Sequence, residues 1–215
     1  GVRQAGVAVG ERAVVIGLGV LGQLTVQLLR AAGCRVFGVD MESWKVDWAR
    51  AKGLDAGAPR AAADLEETIQ RFTGGLGADA VLITAATASS DPVELAARIA
   101  RDRARIVAVG AVRLLLPRAE FYEKELSLVL SRSYGPGRYD PAYEEGGVDY
   151  PAGYVRWTEG RNLEAFLDLA AQGQVKPEGI VTHRFPFADA AQAYHLLGSP
   201  GAAKVLGIVL EYPTV

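Results

Sequence analysis

The sequence predicts an α/β fold: a doubly wound parallel sheet of about six strands wrapped by helices. Three observations predict it. Apolar, β-rich runs alternate with helical patterns across roughly the first 130 residues, as in a sheet built from strand–helix–strand units. The stretch VVIGLGVLGQL sets Gly17, Gly19 and Gly22 between an apolar run and an amphipathic one. Asp40 closes the next apolar run, RVFGVD, about 20 residues further on.

Residues 13–16 read as a buried strand. Residues 20–32 read as a helix, with Leu21, Leu24, Leu28 and Leu29 at core-facing spacing and Gly33 as its stop. A second strand spans 35–39, and a second helix 42–52 closes at Gly53. Residues 54–58 give a short third strand, and 64–72 a helix with Asp64 as its N-cap. The fourth strand falls at 80–84, a helix at 92–100 behind Asp91, the fifth strand at 105–109 and the sixth at 126–131. FYEKE, residues 121–125, reads as a solvated helix face. From 134 to 157 the chain carries five tyrosines and one tryptophan with no helical or strand period. So aromatic a segment is expected to pack rather than float. A helix at 162–171, a strand at 180–185, a helix at 189–197 and a last strand at 204–210 complete the reading.

Composition narrows the function. The 215 residues suffice for one large domain with an appendage, and half of them are hydrophobic. A net charge of −2 gives no broad attraction to nucleic acid or to an anionic membrane. One cysteine, Cys34, can form neither an internal disulfide nor a multi-cysteine zinc site, and it suits a reducing compartment. No apolar run approaches the ~20 residues of a membrane span. The start, GVRQAGVAVGER, has no signal-peptide pattern, so a cytoplasmic protein is expected. It also lacks a methionine, which reads as a piece of a longer chain.

The glycine turn carries the chemistry. Gly17 permits the tight turn, Gly19 lets a pyrophosphate reach the backbone, and Gly22 lets the helix lie close to the sheet. Amides at Val20, Leu21 and Gly22 would face the phosphates, helped by the helix dipole. Asp40 stands where a carboxylate can bond both ribose hydroxyls, and it would repel a 2′-phosphate. NAD is therefore expected over NADP. Asp40 could also cap the helix that follows, and Lys45, one turn in, reaches the ribose or adenine edge or is simply solvated.

With those motifs in place, the chain resembles the nucleotide-binding half of the medium-chain, zinc-type alcohol dehydrogenase-like superfamily. VGERAVVIGLGVLGQLTVQLLRAAGCRVFGVD, TGGLGADAVLITAAT, DRARIVAVGAV and GQVKP with VTHRFPFADAAQAYHLL carry the resemblance over nearly the whole chain. KELSLVLSRSYGPGRYDP and DYPAGYVRWTEGRN are similar to a subgroup fused to a sugar-oxidoreductase-like domain of the Gfo/Idh/MocA type. The resemblance implies a Rossmann domain over residues 1–153. It implies a C-terminal remnant of a GroES-like catalytic domain over 154–215, the rest of that domain and its zinc ligands being absent. It places Thr84, Ala85 and Ala86 beside the adenosine, Gly110 and Ala111 beside the nicotinamide, and Ser133 and Tyr134 beside its carboxamide. It implies hydride transfer between nicotinamide and an alcohol or carbonyl substrate. It also makes the sixth-strand edge a homodimer contact, since a bare edge invites aggregation.

The remaining candidates are weaker. His183 and His195, with Cys34, make no zinc set, so no zinc is expected in this chain. His183 reads as a hydrogen-bonded strand residue and His195 as partly exposed. Ser89 and Ser90 have no base beside them. Arg132, Arg138, Arg156 and Arg161 flank the tyrosine-rich loop as a candidate anion patch. No general acid or base stands out, because Tyr134 is an ordinary phenol. Two other readings remain: a non-catalytic dinucleotide or partner-binding module, and an NADPH-dependent quinone or enoyl reductase, which Asp40 opposes.

Overall fold

The computed structural model describes residues 1–199 and 204–213. A short helix α1 (Val2–Ala5) leads into β1 (Arg12–Ile16), α2 (Val20–Ala31), β2 (Arg35–Asp40), α3 (Ser43–Ala51) and β3 (Ala56–Pro59). Then come α4 (Leu65–Phe72), β4 (Ala78–Ile83), α5 (Asp91–Ile99), β5 (Ala100–Ala108), α6 (Arg118–Glu123) and β6 (Ser127–Leu130). These six strands form one parallel sheet in the order β3-β2-β1-β4-β5-β6. Strand order therefore reverses between β1 and β4, the place where open α/β sheets leave a crevice at their carboxyl ends.

Alternation along the strands builds two cores. Val14, Ile16, Phe37, Val39, Val81, Ile83 and Ile106 face one side, packed with Leu65 and Ile69 of α4 and Val93, Leu95 and Ile99 of α5. Ala13, Val15, Val36, Ala80, Leu82 and Val107 face the other, under Val26 and Leu29 of α2 and Val46 and Ala49 of α3. Both faces are covered, which is why the strands read as continuous apolar runs.

The expected core face of α2 is corrected. Leu29 is buried, but Leu24 and Leu28 are only half-buried and Leu21 is 55% exposed. The inward stripe is Gly22, Thr25, Val26 and Leu29. A side chain at Gly22 would put its Cβ 1.9 Å from the Gly17 carbonyl oxygen, so the helix turns that bare position to the sheet. Leucine spacing alone suggested a face rotated away from it. Asp64 precedes α4, but its carboxylate accepts from Thr68 and Arg71 instead of capping the helix.

Beyond β6 come α7 (Pro141–Glu144), α8 (Glu159–Ala171), β7 (Val181–Pro186), α9 (Ala190–Gly198) and β8 (Gly207–Glu211), with β7 and β8 paired parallel in a second small sheet. The loop at 134–157 packs, as expected, and contains the unexpected α7. Asp140 accepts from the Ala142 amide at its start and from the Tyr150 hydroxyl. Tyr143 stacks on Tyr150 at 5.6 Å, and its hydroxyl accepts from the Gly160 amide at the start of α8. The C-terminal segment is tied back by the Trp48 indole on the Gly179 carbonyl (3.1 Å) and the Lys176 amide on Gln27 (2.6 Å).

Candidate dinucleotide-binding site

Three backbones converge at the carboxyl ends of β1, β4 and β5. Gly17 has φ +98°, and a Cβ there would lie 2.6 Å from the Ala85 amide nitrogen. A Cβ at Gly110 would lie 2.1 Å from the Ala85 carbonyl oxygen. Thr84 locks the turn, its hydroxyl donating to the Gly17 carbonyl at 2.5 Å and its amide to Ile16 at 2.9 Å. The Ala85 and Gly110 amides are used the same way, on Ile16 and Ile83. Thr84, Ala85 and Gly110 thus form the floor of the turn, a role that sequence spacing did not reveal. Ala86 and Ala111 are exposed at the rim, where Ala111 accepts from the Thr87 amide at 2.9 Å.

Gly19 differs from its neighbours. A Cβ built on it meets no atom within 4 Å, and its backbone is extended rather than left-handed (φ −66°). Neither strain nor crowding within the fold requires glycine there. The space above it lies at the start of α2, where the amides of Val20, Leu21 and Gly22 have no acceptor inside the helix. That is the cradle a diphosphate needs, with partial positive charge from the helix end.

Asp40, at the end of β2, is 8% exposed. One carboxylate oxygen accepts from the Leu18 amide at 2.6 Å and the other from the Glu42 amide at 2.9 Å. It therefore binds the glycine turn directly, a contact the sequence did not show. Glu42, not Asp40, holds the cap position of α3. Each oxygen keeps a further lone pair for a sugar hydroxyl. Lys45 is neither remote nor fully solvated: its Nζ lies 2.6 Å from Glu42 and 3.9 Å from Asp40.

Ser133 and Tyr134 leave the end of β6, three strands along the same rim from Gly17. Among the described residues no hydrogen bond joins them to the glycine turn. Ser133 has φ +39°, Tyr134 is 53% exposed, and the Tyr134 carbonyl accepts from Asn162 at 3.0 Å. Nearby, hydrogen bonds from Ser133 and then Arg138 hold the Tyr139 phenol below its usual range. Of the four-arginine patch, Arg132 and Arg138 are brought together on the Tyr139 ring, at 4.6 and 4.5 Å, while Arg138 is paired with Glu144 and Arg161 with Asp149. His183 bonds Thr182 at 3.0 Å, and His195 is exposed on α9. Ser90 donates to Glu94 at 2.6 Å. Among the described residues, no three His, Cys, Asp or Glu side chains are grouped to hold a metal ion.

The strand order, the glycine turn at its switch point and the acid beside it define a Rossmann-type nucleotide-binding domain. Comparison with known proteins gives the family. A family model described as zinc-binding dehydrogenase matches residues 20–145, more than half of the chain, and the chain belongs to that family. It is 28% identical over 197 residues to D-guloside 3-dehydrogenase of Escherichia coli strain K12, covering 90% of this chain and 53% of that enzyme. It is 30% identical over 218 residues to sorbitol dehydrogenase 1 of Saccharomyces cerevisiae, covering 95% of this chain and 53% of that one. The structure of ECK1772 from Escherichia coli, an oxidoreductase/dehydrogenase of unknown specificity, superposes with a TM-score of 0.78 at 19% identity. That match covers 99% of this chain and 54% of the other. The chain spans about half the length of the relatives it matches. No helix among the described residues is long and apolar enough to cross a membrane.

Proposed function

We propose that the chain is the NAD(H)-binding part of an alcohol dehydrogenase-like oxidoreductase that moves hydride between nicotinamide and an alcohol or carbonyl carbon. The observation that carries this reading is the open space over Gly19, next to the Asp40 carboxylate and in front of the α2 amides. In it, Gly17, Gly19, Val20, Leu21 and Gly22 cradle the diphosphate, and Asp40 with Lys45 binds the adenosine ribose. Thr84, Ala85 and Ala86 line the cleft beyond, Gly110 and Ala111 flank the nicotinamide ring, and Ser133 and Tyr134 offer backbone groups to its carboxamide. A carboxylate at Asp40 opposes a 2′-phosphate, which favours NAD over NADP. The bound coenzyme supplies the hydride chemistry, and the chain's residues orient it and exclude water.

The names of the relatives, a guloside and a sorbitol dehydrogenase, favour a sugar or polyol substrate. Residues 1–153 form the coenzyme domain in this reading, and 154–215 complete a catalytic domain supplied by further sequence. The setting is the cytoplasm. Strand β6 pairs on one side only among the described residues, and Leu130 beside its free edge is 61% exposed. That edge is the homodimer contact in this account. In this reading the chain by itself acts as a binding module, since it spans about half the length of the relatives it matches. Titration with NADH separates these roles: micromolar binding without turnover of sorbitol or simple alcohols is expected of the chain alone. Absence of NADH binding overturns the reading.

A further inference from the structure

Three arginines around the 134–157 loop, Arg3, Arg132 and Arg156, form no ion pair among the described residues; Arg132 lies over the Tyr139 ring at 4.6 Å. Arg138 and Arg161 are paired with Glu144 and Asp149, and Arg184 reaches Glu178 and Glu211. Arg3 and Arg156 instead stack on one indole, with their Cζ atoms 3.2 and 4.0 Å from the centre of the Trp157 ring. Neither forms an ion pair among the described residues. The side-chain partner of Arg3 is a neutral amide, its Nε donating to Asn162 Oδ1 at 2.7 Å.

The arrangement gathers like charge. Both cations sit close to one ring centre, so they lie within a Debye length of each other. Burial first, and the charge of Arg156 second, hold the Arg3 guanidinium below its ordinary value. Two cations this close to one ring centre cannot share a face, so they flank the indole on opposite sides. Each still presents N–H groups along its edge, the geometry that matches a carboxylate or phosphate oxygen pair. An anion at the edge of the ring would take donors from both and relieve the repulsion.

Position adds to this. Asn162, which holds Arg3, also donates to the Tyr134 carbonyl at 3.0 Å, just past the end of β6. The Trp157 cluster therefore stands beside the carboxyl rim of the sheet, where ligands of such folds bind. We propose that Arg3 and Arg156, gathered on Trp157, form an anion-binding site for the carboxylate or phosphate group of a small molecule. The site uses none of the residues assigned to the dinucleotide and stands whether or not that assignment holds.

The test is calorimetry on the chain at constant ionic strength, with D-gluconate and inorganic phosphate as probes and sorbitol and chloride as controls. Saturable binding of at least one oxyanion is expected, weakened about tenfold or more by Arg156→Gln or Arg3→Gln with NADH affinity unchanged. Tighter gluconate binding identifies a substrate carboxylate, and tighter phosphate binding a phosphoryl group. Arg156→Gln leaves the Arg3–Asn162 bond intact, so it reads out the site even if Arg3→Gln disturbs folding. Binding no better than chloride, or binding that survives Arg156→Gln, overturns the proposal.

Discussion

Replacing Gly22 by alanine is expected to destabilise the chain even though alanine is the better helix former. Alanine gains about 1 kcal/mol in a helix interior. Its Cβ, however, would lie 1.9 Å from the Gly17 carbonyl and 3.1 Å from the Thr84 hydroxyl. Backbone against backbone cannot yield by a rotamer change, so overpacking costs about 3 kcal/mol. The net loss of about 2 kcal/mol lowers the melting temperature by roughly 4–8 °C for a chain of this size. Gly19→Ala supplies the contrast. No atom lies within 4 Å of its Cβ, so no clash follows; Gly19 caps α2, where alanine is poorer than glycine, so its melting temperature falls less than that of Gly22→Ala, while NADH affinity falls. Thermal melts and titrations of the two variants read both effects. Equal stability in the two would contradict the packing described here.

Asp40→Ala is expected to act twice. The Leu18 and Glu42 amides lose a charged acceptor in a site that is 8% exposed, which costs about 2 kcal/mol of stability. In the proposed site the carboxylate also accepts from the ribose, so its loss is expected to weaken NADH binding about tenfold or more. NADPH suffers less, because the group that opposed its 2′-phosphate is gone. The ratio of NADPH to NADH affinity therefore rises. An unchanged ratio would show that Asp40 serves only to tie the glycine turn to β2.

What the sequence showed and what it hid follow from range. The strands were legible because both faces of the sheet are covered, making each an apolar run. The glycine turn was legible because its constraints are local: Gly17 needs a positive φ and Gly22 a bare helix face. The identity of that face was misread, since Leu21, Leu24 and Leu28 share a helical stripe with no sign of which stripe meets the sheet. Helices α1, α6 and α7 span only four to six residues, too few for a 3.6-residue period to register. Strand β5 begins at Ala100, earlier than expected, because the arginines and aspartate of its first half hide it. The Leu18–Asp40 bond and the stacking of Arg3 on Trp157 join residues far apart in the chain, and only the folded structure brings them together.

The account stands or falls with the space over Gly19. Amide chemical shifts of the chain, followed by NMR as NAD is added, test it most directly. The largest changes are expected at Val20, Leu21 and Gly22, with Asp40 and Met41 moving at the same coenzyme concentration. Saturable binding that leaves those amides still, or no saturable binding at all, would contradict it.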